Sequence, residues 1–247
     1  MKNRKDVFKR FNESFVNMEG QFHVLEHRVP VEQQMEYFKF SDKVRRNISD
    51  MKEVDYEKYI EDLESDEPTK EDKKKFLSIL AASKQVKAYR FLERFAKETD
   101  SELSNWAYMA LMESRIILEF DLSGEKQIFI STGLGGRGDK LRFYSLIISS
   151  LQEPFADYQK KIINDELAFA LQMKGCELER VNIGNKYVEV IALVPVTINI
   201  KNILEEVIVE CNQYGGFLHE IYAITNVKEF DKKELEDIMK NYKERKN

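Results

Sequence analysis

Apolar positions along this chain follow two periods, and the change between them divides it. From Val31 to about Leu122 they recur at steps of three and four, the spacing of one helix face. Ser65-Asp66-Glu67-Pro68-Thr69 interrupts that pattern, and Thr69 followed three residues later by Asp72 predicts an N-capped helix start. Phe76, Leu77, Leu80 and Ala81 form one stripe, and Val86, Tyr89, Leu92 and Phe95 form the next, which two short helices or one kinked helix satisfies. After Thr99-Asp100-Ser101-Glu102, the residues Leu103, Trp106, Ala107, Ala110, Leu111, Ile117 and Leu118 mark a long helix.

From Gln127 the pattern alternates between strands and helices. Strands are predicted near 127–132, 141–149, 176–183, 186–194 and 218–226, and helices near 154–174, 199–213 and 231–245. Ile183-Gly184-Asn185-Lys186 has the chemistry of a tight hairpin. The expected organisation is an α-helical part over 1–122, with its break near 65–69, and an α/β part over 123–247 with an extra leading strand and a closing helix.

The succession of short helices over Phe76 to Leu118 resembles α-hairpins of the HEAT or armadillo type, which implies a protein-contact surface. Without its first strand and last helix, the second part reads β-α-β-β-α-β and resembles a ferredoxin-like split β-α-β unit. The predicted class is therefore α+β, a HEAT-like helical part followed by a ferredoxin-like antiparallel sheet with helices on one face. In Tyr187 to Val194, the set Val188, Val190, Ala192 and Val194 can face two helices while Tyr187, Ile191 and Leu193 point the other way. That second apolar face needs a cover, since removing it from water is worth about 25 cal/mol per Å². The helical part, a second copy and a ligand are the candidates, with polypeptide favoured. The closing segment, with Phe230, Leu235, Ile238, Met239 and Tyr242 on its apolar side, reads as a docked amphipathic helix.

Composition narrows the function classes. The 247 residues are 43% hydrophobic and 34% charged, the profile of a globular protein with a mixed-sign surface. A net charge of -5 disfavours nucleic acid as a general partner. The charged start Met1 to Asp6 lacks the apolar core of a secretion signal, no run is long enough to span a bilayer, and Cys176 and Cys211 stand apart without zinc-ligand spacing. A cytoplasmic protein with reduced, buried thiols is expected.

Four of the ten glycines fall in Gly133-Leu134-Gly135-Gly136-Arg137-Gly138-Asp139-Lys140. This text satisfies G-x-G-x-x-G, but a strand follows it where a dinucleotide fold needs a helix, and the lysine lacks the serine or threonine of a P-loop. Two readings stay open. The segment is a structural or protein-contact hairpin, or it is an anion site in which the amides of Gly133, Gly135, Gly136 and Gly138 accompany Arg137 and Lys140, with Asp139 as a metal or base residue.

His23-Val24-Leu25-Glu26-His27 spells the H-x-x-E-H zinc text, but it needs a helix and Pro30 stands close by, so a chance match is expected and no metal site is assigned. His219 is expected to make an ordinary hydrogen bond, and no serine, histidine and acid set can be placed. An RNA-recognition face would need aromatics on its central strands, and Val188 to Leu193 has none.

The leading expectation is thus a non-catalytic regulatory or adaptor protein, binding another protein or itself through the helical surface and the glycine loop, with no cofactor. A phosphate- or nucleotide-binding enzyme using Gly133 to Lys140 is the alternative. Third stands a small-molecule sensor, implied by a topology that resembles ACT-type regulatory domains.

Overall fold

The computed structural model describes residues 21–47, 55–65, 67–99, 101–151 and 153–244. The charged start Met1 to Asp6, Asp66 and Asp100 lie outside the described residues. Two compact units meet in sequence between Gly133 and Leu134. The class is α+β with a helical N-terminal part.

The first unit begins with β1 (Gln21–Val24), continues through helices α1 (Val31–Asn47), α2 (Tyr56–Glu64), α3 (Lys70–Ala81), α4 (Val86–Glu98) and α5 (Ser101–Ser123), and ends with β2 (Gln127–Ile130). Thr69 caps α3 and forms the reciprocal box with Asp72, a device worth about 1 kcal/mol. Two helices rather than one kinked helix follow the break, because Lys84 takes a φ of 57° in the link between α3 and α4. The buried stripe of α4 is Ala88, Phe91, Leu92 and Ala96, while Val86 is exposed. The helix is therefore rotated from the expected Val86-Tyr89-Leu92-Phe95 face, since its small alanines admit a close neighbour. Glu57 pairs with Lys87 at 2.6 Å and Glu64 pairs with Arg94. The equal seven-residue step on both helices means that α2 and α4 run side by side in the same direction.

Helix α5 packs against α1, α3 and α4, burying Trp106, Ala107, Met109, Ala110 and Met112. The stripe that starts at Trp106 also carries Glu113 inward. Its Oε2 accepts from Tyr37 Oη at 2.6 Å and from Ser41 Oγ at 2.8 Å, and Arg45 pairs with Oε1 at 3.0 Å. A buried carboxylate is tolerated only with such partners.

One strand differs from expectation. The segment 127–130 does not extend the second unit's sheet but pairs in parallel with β1, from Gln21 opposite Gln127 to Val24 opposite Ile130. The segment is a strand, as its pattern predicts, but the chain supplies the partner from more than a hundred residues upstream, beyond the reach of local spacing.

The second unit contains β3 (Gly136–Arg137), β4 (Lys140–Ser149), α6 (Asp157–Met173), β5 (Glu177–Ile183), β6 (Tyr187–Pro195), α7 (Ile200–Asn212), β7 (Leu218–Thr225) and α8 (Lys232–Glu244). The sheet order is β3-β4-β6-β5, with β7 also on β4, and every pairing is antiparallel. Without the short β3, the chain order β-α-β-β-α-β and the spatial order β7-β4-β6-β5 give the expected split β-α-β arrangement. Helices α6 and α7 pack on each other, and on β5 and β7 respectively.

The opposite face carries Tyr144, Leu146, Ile148, Ile191 and Tyr187, and its cover is Phe230, Leu235 and Ile238 from the closing segment. Helix α8 starts with a second capping box, in which Glu234 N donates to Asp231 Oδ1 at 2.9 Å and Asp231 N donates to Glu234 Oε2 at 3.0 Å. The helices are thus not confined to one face.

Candidate functional site

The glycine segment folds into a short strand and a tight turn. Gly136 lies opposite Leu141 and Arg137 opposite Lys140, leaving Gly138-Asp139 as a two-residue loop. Gly138 has a φ of 60° while Asp139 does not take a positive φ, the pattern of a type II′ turn with glycine first. Gly133, Leu134, Gly135 and Gly136 are buried, and Arg137, Gly138 and Asp139 are exposed. The segment is pinned by backbone bonds: Leu134 N donates to Asn226 O at 3.0 Å, Arg142 N to Gly135 O at 2.9 Å and Val196 N to Asp139 O at 3.1 Å. What faces outward at the hairpin end is therefore side-chain charge.

Arg137 and Lys140 converge on one carboxylate. Arg137 Nη2 donates to Glu177 Oε2, and Lys140 Nζ to Glu177 Oε1 at 2.7 Å. The Lys140 hydrogen bond, assisted by Arg137, holds the Glu177 carboxyl below its ordinary range. One step along β4, Arg142 forks onto Glu179, Nε to Oε2 at 2.5 Å and Nη2 to Oε1 at 2.9 Å, the bidentate geometry that guanidinium gives an oxyanion. Arg142 Nη1 also donates to Leu134 O at 2.7 Å, tying the glycine segment to the strand.

The register explains how these groups come to share a face. Arg142, Leu193 and Glu177 lie in one row across β4, β6 and β5. A bulge then sets Leu178 opposite Ala192 and Arg180 opposite Ile191. The extra residue, Glu179, breaks simple alternation, so Glu177, Glu179 and Arg180 all serve the face that holds Arg142 and Tyr144. Arg180 pairs with Glu229 beside the α8 cover. Tyr144 Oη donates to Glu189 Oε1 at 2.8 Å and Asn182 Nδ2 to Glu189 Oε2 at 2.6 Å. Burial first, then the Glu189 carboxylate, push the Tyr144 phenol upward, so it stays protonated and donates.

Residue spacing did not nominate Arg142, Glu177, Glu179 or Arg180 as one cluster. The available signal was the charge-rich strand Glu177-Leu178-Glu179-Arg180, whose glutamates stand two apart.

The remaining candidates stand elsewhere. His23 lies in β1, not on a helix, with Nε2 at 2.6 Å from Gln127 Oε1 and 2.9 Å from Glu119 Oε2. His27 stacks on Tyr108 with centroids 3.8 Å apart, and no metal-holding group of three His, Cys, Asp or Glu occurs among the described residues. His219 Nδ1 accepts from Ile221 N at 3.0 Å. Both cysteines are buried, and burial pushes the thiols up to about 11 for Cys176 and about 12 for Cys211, far from the reactive range. No helix among the described residues is long and apolar enough to cross a membrane.

No family model matches this chain, and no curated protein does. Among solved structures it is similar to a candidate transposase from Deinococcus radiodurans R1, at 17% identity and a TM-score of 0.38, over 43% of this chain and 95% of that one. It is also similar to a REP-associated tyrosine transposase bound to a REP hairpin, at 6% identity and a TM-score of 0.32, over 40% of this chain and 61% of that one. A C-terminal segment of the alpha subunit of aIF2 from Pyrococcus abyssi aligns at 11% identity and a TM-score of 0.27, over 80% of this chain and 98% of that one. Two of these neighbours are transposases, one of them bound to a REP hairpin, and beside them the expectations of a non-catalytic adaptor and of nucleic acid as an unlikely partner are not carried further. The physical reason is that a total charge of -5 averages over the whole surface, whereas phosphate contact is decided by a local cluster of cations.

Proposed function

We propose that this protein binds nucleic acid through its backbone, using the β3–β4 hairpin as the phosphate contact. One observation carries the reading: three cations of a single hairpin, Arg137, Lys140 and Arg142, are already arranged to hold two oxyanions in a row. Two cations meeting on one carboxylate, beside a guanidinium forked on the next, is a donor set that suits phosphodiester oxygens equally well. Such contacts position a strand without reading its sequence.

The test is fluorescence anisotropy of the full chain with labelled single-stranded and hairpin oligodeoxynucleotides across a salt series. Binding at low salt that weakens linearly in log–log form, and a slope reduced by about 0.7 to 0.9 for each phosphate contact removed in Arg137→Ala and Lys140→Ala, is the expected result. Absence of binding at about 50 mM salt, or binding indifferent to these substitutions, overturns it.

A further inference from the structure

We infer that Glu177 and Glu179 form an internal carboxylate latch on the hairpin, occupying the positions that two consecutive phosphodiesters of a bound strand take. The inference rests on the backbone-binding reading above and adds its regulation. The two glutamates are two residues apart on β5, at most about 6.6 Å along the strand, a spacing comparable to the step from one phosphate to the next on an extended strand.

Each holds its own donors: Glu177 takes Arg137 and Lys140, and Glu179 takes both prongs of Arg142. The bulge between Leu178 and Arg180 serves this arrangement by turning the intervening Glu179 toward the face that holds Arg142. The latch is built to open at its outer end. The Arg137 and Glu177 side chains are 57% and 45% exposed, so their bond contributes little and exchanges readily, whereas Arg142 and Glu179 are 13% and 27% exposed and hold more firmly. An incoming strand therefore displaces Glu177 first. Until it does, the two glutamates offset two of the three positive charges and occupy their donors, so a stray polyanion gains little and only a ligand presenting adjacent phosphates gains both exchanges at once.

The experiment compares the intact chain, Glu177→Gln, Glu179→Gln and the control Glu206→Gln for binding to a labelled single-stranded oligodeoxynucleotide at low salt. Glu206 is an exposed residue of α7, so its substitution removes the same charge away from the latch. Glu177→Gln is expected to tighten binding on the order of tenfold, with Glu206→Gln within about twofold, as fits exchange of a small number of phosphate contacts. Thermal melting of each variant confirms folding, and Glu179→Gln gives an independent reading should Glu177→Gln melt early. Binding by the intact chain with no gain in either latch variant over Glu206→Gln overturns the latch and leaves the backbone-binding reading standing. Failure of all four proteins to bind overturns both.

Discussion

The Tyr144 ring meets the Phe230 ring edge-on, with centroids 5.2 Å apart and planes at 82°. This contact joins the central strand to the segment that leads into α8, and it marks how the sheet's second apolar face is closed. Edge-to-face aromatic pairs add about 0.5–1.5 kcal/mol to the burial of their area. Phe230→Ala is accordingly expected to cost about 2 kcal/mol in denaturant unfolding, below a full core truncation because Phe230 is only half-buried. It should also raise binding of a hydrophobic dye, since Leu146, Ile148 and Ile191 lie under the same cover.

The Glu113 network supports a graded series. Tyr37→Phe removes one of two hydroxyl donors and should cost about 1.5–3 kcal/mol, the range for a hydrogen bond to a charged group. Glu113→Ala should cost about 3–5 kcal/mol, because it strands the fully buried Tyr37 hydroxyl and unpairs Arg45. Urea unfolding followed by circular dichroism measures both, and equal effects would show that Ser41 and Arg45 do not share the carboxylate.

Burial lowers the His27 pKa, against a smaller raising influence from Asn105. The folded value lies below the unfolded one, so the neutral ring's contribution is full above the unfolded value of about 6.5 and is lost as pH falls through the folded value. The thermal midpoint should drop with acidification over that window more in the natural chain than in His27→Phe, which keeps a ring to stack on Tyr108 and cannot titrate. Identical pH profiles would assign the drop to other groups.

Gly138 is the turn glycine with a φ of 60° and nothing within 4 Å of an added Cβ. Gly138→Ala should therefore destabilise through backbone strain alone, by about 1 kcal/mol. Gly184 offers the contrasting case: an added Cβ would stand 2.6 Å from the Tyr187 ring, so Gly184→Ala should displace that ring from the covered face. Near-ultraviolet circular dichroism separates the two, changing in Gly184→Ala and not in Gly138→Ala.

Much of the fold was legible because its signals are local. The Thr69–Asp72 cap, the Gly184 hairpin, the apolar stripe of α7 and the alternation of β6 each depend on neighbours within a few residues. Glu113 was also readable in principle, standing seven residues after Trp106 on the α5 stripe, where a carboxylate demands partners. The candidate site was half legible. Arg137 and Lys140 announced themselves beside the glycines, but their acceptor Glu177 lies 37 residues beyond Lys140.

The sequence by itself determined the periods, the caps and the turns, because those follow from backbone sterics and from which face of an element is apolar. Tertiary structure alone decided that Gln127–Ile130 pairs with Gln21–Val24, that Phe230, Leu235 and Ile238 close the second sheet face, and that the β5 bulge lines Glu177 and Glu179 up with the hairpin cations. Each of these joins segments distant in the chain. Such pairings are chosen by which surfaces bury together and which backbone groups find partners, and spacing along one segment does not encode that choice.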